Sequence, residues 1–212
     1  MQHFSTSVST TQCTECMENM KLPSPELINF YKDLDKRILW IDTDIADNTM
    51  EISKYIIKWN MEDDKNNINQ EERTPIRIFI FSAGGSLYVS NHIVDIITMS
   101  KTPVYGYNMG AAMSGALYIL LSCHKRYCLK NSVALIHQGS NSVDGNASDV
   151  INHVKNYELQ LKKNKEYVLS KTTITPSMYK SRQKEDWYLD ANEQIKYGIV
   201  SKVLETIDEL YE

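Results

Sequence analysis

The sequence predicts an α/β protein. Short apolar runs of strand length alternate with segments of helical periodicity. Two of those runs end in turns of small residues that open straight into helices. The chain of 212 residues is also long enough to bury a sizeable core as one domain.

The elements follow in order. Residues 1–22 show no periodicity, and the stretch is expected to be a flexible leader ahead of a single domain over 23–212. Pro25 sits at the first turn of a short helix expected to reach Tyr31. Residues 37–42 form a short apolar run bounded by charges, the pattern of a buried strand. Asp47 or Asn48 caps a helix to about Met61, with Met50, Ile52, Ile56, Ile57 and Met61 as its apolar stripe. Residues 62–73 hold Ile68 as their only apolar residue and read as a solvated loop.

The clearest strand is Ile76–Phe81, followed by a small-residue turn and a helix over 87–100. A strand from Val104 to Tyr107 leads through Met109–Ala116 into an apolar helix ending at Ser122. Two strands are expected at Arg126–Leu129 and Val133–His137. A long, lysine-rich, weakly amphipathic helix spans about Ser148 to Ser170. The remainder reads as a helix at Thr175–Gln183, the segment Asp186–Leu189, a helix ending near Gly198, and a last short strand–helix pair. The alternation implies right-handed crossovers.

Bulk composition excludes several classes. Apolar residues make up 42% and charged residues 24%, with a net charge of -4. That balance argues against nucleic-acid binding and against disorder. No stretch of eighteen apolar residues offers a membrane span, and the N-terminus lacks a basic and then apolar secretory pattern, so a reducing, cytoplasmic setting is expected. Cys13 and Cys16 form a CxxC, but Cys123 and Cys128 have the wrong spacing to complete a zinc ribbon, so neither metal nor cofactor is expected.

The two small-residue turns carry the chemistry. Ala83-Gly84-Gly85 follows one strand, and Met109-Gly110-Ala-Ala-Met-Ser114-Gly115 opens the apolar helix. Glycine lets a substrate backbone approach closely, and a helix start offers free N–H groups. Ser114 there has its hydroxyl near amides that could hold an oxyanion. His137 ends the strand Val133–His137. A serine nucleophile needs such a base, and the base needs a third group to fix its tautomer. Taken singly, a serine at such a helix start more often serves packing or capping, and a lone histidine at a strand end is usually structural.

Four runs together resemble one family. They are Phe81-Ser-Ala-Gly-Gly-Ser86, Tyr107-Asn-Met-Gly-Ala-Ala-Met-Ser114-Gly-Ala116, Lys125 through His137-Gln138, and Glu185-Asp186-Trp-Tyr-Leu through Val200. In this order they resemble the Clp protease (ClpP) family over roughly Asp35 to Val203. The resemblance implies the ClpP/crotonase-like fold of repeated β-β-α units with a protruding handle helix, at about 139–172 here. It implies a serine-type endopeptidase with Ser114 as nucleophile, His137 as base and acid, and Asp186 as orienting carboxylate. Gly85 and Gly115 match the oxyanion hole. Gly139, Ser140 and Asn141 match the edge strand that pairs with extended substrate. Asp190, the nearest rival to Asp186, matches a helix-capping position.

The resemblance further implies heptameric rings, stacked as a tetradecamer through the handle, fed with unfolded polypeptide by an AAA+ unfoldase of the ClpX, ClpA or ClpC type. Phe79, Met99 and Tyr127 match the unfoldase docking pocket, where Arg77 replaces an aromatic. Other departures are Ala83 and Gly139 for prolines, bulky Met113 before the serine, and Gly115 for a methionine after it. Three other readings compete: a catalytically weak structural ring subunit paired with an active paralogue, a crotonase-fold acyl-CoA enzyme, and a signal-peptide peptidase-like protein. Retention of Ser114, His137 and Asp186 together argues against the first. A Ser–His pair is not needed by the second, and the third lacks its membrane segment.

Overall fold

A computed structural model describes residues 24–140 and 142–211. The leader, Cys13, Cys16 and Asn141 lie outside the described residues. Contacts divide the chain into two units, one ending at Lys36 and one beginning at Arg37. The first holds helix α1 (Pro25–Asp35), with Pro25 in its first turn and the Ser24 hydroxyl accepting from the Leu27 amide. It runs one turn beyond the expected end at Tyr31.

The second unit is built on a seven-stranded sheet. Strands β1 (Ile38–Ile41), β2 (Ile76–Ser82), β3 (Val104–Met113), β4 (Lys125–Leu129) and β7 (Lys202–Leu204) lie side by side, all parallel. Strand β5 (Val133–Ile136) pairs parallel with the end of β3, and β6 (Trp187–Leu189) pairs antiparallel with β5. The β2 residues Ile76, Ile78 and Ile80 are fully buried. They alternate along β2 and share its core face, while Phe81 on the other face stands exposed.

Two helices bring the small-residue turns onto the core. The Ser86 side chain accepts from the Val89 amide and starts α3 (Leu87–Met99). Helix α4 (Gly115–Ser122) is buried all round, as its unbroken apolar sequence requires. The long polar helix is α5 (Ala147–Lys171), capped by Asn146. The chain continues through α6 (Pro176–Arg182) and α7 (Ala191–Lys196).

Two elements of the sheet unit differ from expectation. Helix α2 (Glu51–Lys65) runs a turn beyond Met61 into the segment read as a solvated loop. Its Asp63 is buried, taking two hydrogen bonds from the Arg37 guanidinium (2.6 and 2.8 Å) and one from the Thr102 hydroxyl (2.7 Å). Arg37 holds the Asp63 carboxyl below the usual carboxylate range. Arg73, also buried, bonds Asp64 and the Ile68 carbonyl. Strand β3 continues to Met113 through Gly110, Ala111 and Ala112, residues that read as a turn. The register between β2 and β3 shifts between Ile80 and Ser82, which makes room for that extension.

Candidate active site

The site lies at the carboxyl ends of the strands, the usual place for one in an open α/β sheet. Met113 of β3 stands beside Leu135 of β5, and the Ser114 amide donates to the Leu135 carbonyl at 3.1 Å. Ser114 therefore leaves β3 alongside Ile136, one residue short of His137. On the other side of β5, Ile136 stands opposite Trp187 of the antiparallel β6. The residue after Ile136 is His137, and the residue before Trp187 is Asp186. Register alone thus sets the last two side by side, and His137 Nδ1 is 3.6 Å from Asp186 Oδ1.

Ser114 adopts φ 53° and ψ -121°, a backbone that non-glycine residues rarely take. Such strain, on the order of 1–3 kcal/mol, collects at functional turns. It makes a sharp strand-to-helix elbow that leaves Ser114 ahead of α4. Gly84 crosses close behind, at φ 99°: a Cβ on it would lie 2.6 Å from the Met113 carbonyl oxygen and 2.8 Å from Ser114 Cβ. Only glycine allows that approach.

The Gly84-Gly85 turn is stitched to the segment around Ile45. Ile45 donates to the Gly84 carbonyl (2.7 Å), and Ser86 donates to the Ile45 carbonyl (2.8 Å). The Ser82 hydroxyl donates to the Thr43 carbonyl and accepts from the Gly84 amide. The Gly85 amide has no acceptor among the described residues. Gly115 is the first residue of α4, so its amide belongs to the unpaired first turn. Both proposed oxyanion donors are therefore unspent.

Ser114, His137, Gly85 and Gly115 line one recess of about 520 Å³, whose far wall is α5. His137 Nε2 is buried and has no hydrogen-bond partner among the described residues. Asp186 is largely exposed. Asp190 caps α7: its Oδ1 accepts from the Glu193 amide at 2.8 Å, and Glu193 reaches back to the Asp190 amide. Gly139 and Ser140 line the recess but form no strand. Gly139 has φ 75°, which proline, fixed near -65°, could not adopt. The Tyr157 hydroxyl donates to the Gln138 carbonyl at 2.8 Å and ties this stretch to α5.

Glycine at 115 also has a local cause. A Cβ there would lie 2.3 Å from Ser90 Oγ and 3.2 Å from Ser90 Cβ. Ser90 is fully buried on α3 and donates to the Ser86 carbonyl at 2.9 Å. Phe79, Tyr107 and Tyr127 form a tilted and edge-on aromatic cluster, joined by Ile38, Leu204 and Leu210. Arg77 donates to the Tyr211 carbonyl, and Met99 stands exposed on α3.

Sequence reasoning missed two buried amides behind the site. Asn108 Nδ2 donates to the Val133 carbonyl and to Gln194 Oε1, while Asn108 Oδ1 accepts from the Gly110 amide. Gln194 Nε2 donates to the Ser132 and Leu189 carbonyls. The pair joins the strands that end in Ser114 and His137 to the one that begins after Asp186. Both residues stand within the quoted runs, but polar side chains there carry no signal of burial.

A serine at a strand-to-helix elbow, sharing a recess with a histidine on a parallel α/β sheet, defines the class of protein to which this chain is similar. Residues 26–207 match the Clp protease family. An ATP-dependent Clp protease proteolytic subunit 2 of Treponema pallidum is 32% identical over 133 residues, which cover 62% of this chain and 67% of that one. The corresponding subunit 2 of Treponema denticola is 36% identical over 132 residues, 61% of this chain and 66% of that one. The aligned stretch is thus about two-thirds of those relatives' lengths. Among solved structures, a mutant ClpP1 of Listeria monocytogenes superposes with a TM-score of 0.72 and 25% identity, covering 86% of this chain and 99% of that one. The chain belongs to the Clp protease family. These likenesses favour a protease subunit over an acyl-CoA enzyme. Among the described residues no helix is long and apolar enough to cross a membrane.

Proposed function

We propose that this chain is a serine endopeptidase subunit that cuts unfolded polypeptide inside an oligomeric Clp-type chamber. Ser114 is the nucleophile, His137 the general base and acid, and Asp186 the carboxylate that orients the imidazole. The observation that carries the reading is the convergence of three strand ends: an elbow serine, a histidine with an unpartnered Nε2, and a carboxylate 3.6 Å from its Nδ1.

The chemistry follows from that arrangement. Ser114 Oγ attacks the scissile carbonyl carbon while its proton passes to His137 Nε2. The oxyanion sits between the Gly85 and Gly115 amides. His137 returns the proton to the leaving amine, and water then hydrolyses the acyl-enzyme by the same route. A distance of 3.6 Å exceeds a hydrogen bond. Substrate laid along residues 139–141 would draw Asp186 and His137 together, as catalytic contacts commonly tighten on binding. That segment supplies main-chain hydrogen bonds to extended substrate.

Helix α5 serves as the handle between stacked heptameric rings. Ile151, Val154 and Leu159 stand exposed along it, apolar surface that a second copy would cover. An AAA+ unfoldase of the ClpX, ClpA or ClpC type delivers the substrate and hydrolyses the ATP, and the particle works in the cytoplasm. The test is a serine-directed fluorophosphonate followed by mapping of the modified residue. The label should fall on Ser114. Ser114→Ala should abolish both labelling and peptide hydrolysis, a loss on the order of 10⁴-fold or more. Unchanged hydrolysis in that variant sinks the assignment.

A further inference from the structure

Helix α5 presents an unusual face to the recess. The residues that line it are His153, Asn156, Tyr157, Gln160, Leu161 and Asn164. Their spacing of three and four is that of a helix's inward stripe, which is ordinarily apolar. Here all but Leu161 are polar, and none is Asp, Glu, Lys or Arg. The charged residues of this stretch, Lys155, Glu158, Lys162, Lys163, Lys165 and Glu166, stand off the stripe. No Asp, Glu, Lys or Arg lines the recess anywhere among the described residues.

Several polar atoms on this wall remain available. Asn156 donates its Nδ2 to the Tyr88 hydroxyl at 2.9 Å, which leaves its carbonyl oxygen open. Tyr157 donates to the Gln138 carbonyl, which leaves its oxygen free to accept. Gln160 makes no hydrogen bond among the described residues, so its amide offers both a donor and an acceptor. Leu87 and Leu161 supply apolar surface beside these groups.

We propose that this recess is a side-chain subsite selecting glutamine, or another carboxamide, at the substrate residue whose carbonyl Ser114 attacks, with Gln160 as its specificity-determining residue. The proposal rests on the peptidase reading above. A carboxamide both donates and accepts, which matches the Gln160 amide and the Asn156 carbonyl. Its methylene stem packs on Leu161. A leucine of similar size would leave those amide groups desolvated and unpaired. A carboxylate or ammonium would lose hydration and meet no Asp, Glu, Lys or Arg to pair with.

The experiment compares kcat/KM of the full chain on four internally quenched peptides, identical except for Gln, Leu, Glu or Lys before the scissile bond. Cleavage positions are fixed by mass spectrometry, and a fluorophosphonate label on Ser114 is read in parallel. Glutamine should exceed leucine by about tenfold and glutamate by about a hundredfold. Gln160→Leu should reverse the Gln-to-Leu ratio. Gln160→Glu, nearly isosteric, should transfer preference to the lysine peptide. The proposal is overturned if leucine is preferred by the wild type, or if both Gln160 variants leave every ratio unchanged. Labelling of Ser114 with none of the four peptides cut also overturns it while leaving the nucleophile standing. Absence of both labelling and cleavage overturns the peptidase reading and the subsite with it.

Discussion

Placing alanine at position 115 is a direct test of how the elbow is packed. The added methyl would sit 2.3 Å from Ser90 Oγ and 3.2 Å from Ser90 Cβ. Ser90 has no free space, because it is fully buried where α3 faces α4. Rotating its side chain away breaks the bond to the Ser86 carbonyl, at about 1 kcal/mol. Holding it in place overpacks the helix pair, at about 1–3 kcal/mol. The gain from alanine over glycine in a helix is at most about 1 kcal/mol. Gly115→Ala should therefore cost about 2 kcal/mol, a fall in Tm of roughly 4–8 °C for a chain of this size. Ser90→Ala removes the 2.3 Å contact but keeps the 3.2 Å one, so it should rescue in part. Ser90→Gly removes both and should rescue most fully, apart from its own helix cost of about 0.5 kcal/mol. The assay is a double-mutant cycle by urea unfolding at one fixed chain concentration. Simple additivity of Gly115→Ala with either Ser90 variant would refute the packing argument.

Other outcomes follow from the same coordinates. Asp186→Asn should lower peptidase activity by about 10⁴-fold through the wrong imidazole tautomer, whereas Asp190→Asn should keep activity and lose only part of a helix cap; steady-state kinetics on both variants decides, and the opposite ranking makes Asp190 the orienting group. Asp63→Asn should destabilise the fold by about 3 kcal/mol, since it strands the Arg37 guanidinium. The Asp63 carboxyl is held below its unfolded value by Arg37, so its contribution is present above about pH 4 and is lost as pH falls toward the lower folded value. Acid titration of stability should show a shallower fall in the variant. Gln194→Leu should cost about 3 kcal/mol by orphaning Asn108 and two carbonyls, as measured by urea midpoint. Burial pushes the Cys123 thiol up to about 12, so iodoacetamide at pH 8 should modify it only after unfolding, as peptide mapping would show.

The elements most legible in the sequence were those whose neighbours in space are neighbours in pattern. Ile76–Phe81 could be read from its alternating buried isoleucines, and the helix after Ser114 from its unbroken apolar run, which matches burial all round. The last turn of α2 could not, because Asp63 is charged yet buried, and its partner Arg37 lies 26 residues earlier. Gly110, Ala111 and Ala112 read as a turn because small residues mark both turns and close-packed strand ends. Ser114, His137 and Asp186 were singled out through motifs alone. The registers of β3 with β5 and β5 with β6, which set those strand ends next to one another, are encoded by no local pattern. Gly115 looked like a departure until its partner Ser90 was seen on a different helix.

The elbow at Ser114 also sets chemistry against folding. A side chain held at φ 53° costs on the order of 1–3 kcal/mol, and glycine would relieve it at an unfolded-state cost of about 0.5–1 kcal/mol. Ser114→Gly should therefore leave the fold as stable as before, or more so, while removing the hydroxyl. With Ser114 as the nucleophile proposed above, selection for thermostability alone would drift toward a sequence without it, and only selection for turnover would keep serine there. Libraries screened on this scaffold for expression or heat resistance should accordingly enrich glycine at 114, and any stabilising campaign must score hydrolysis at every round.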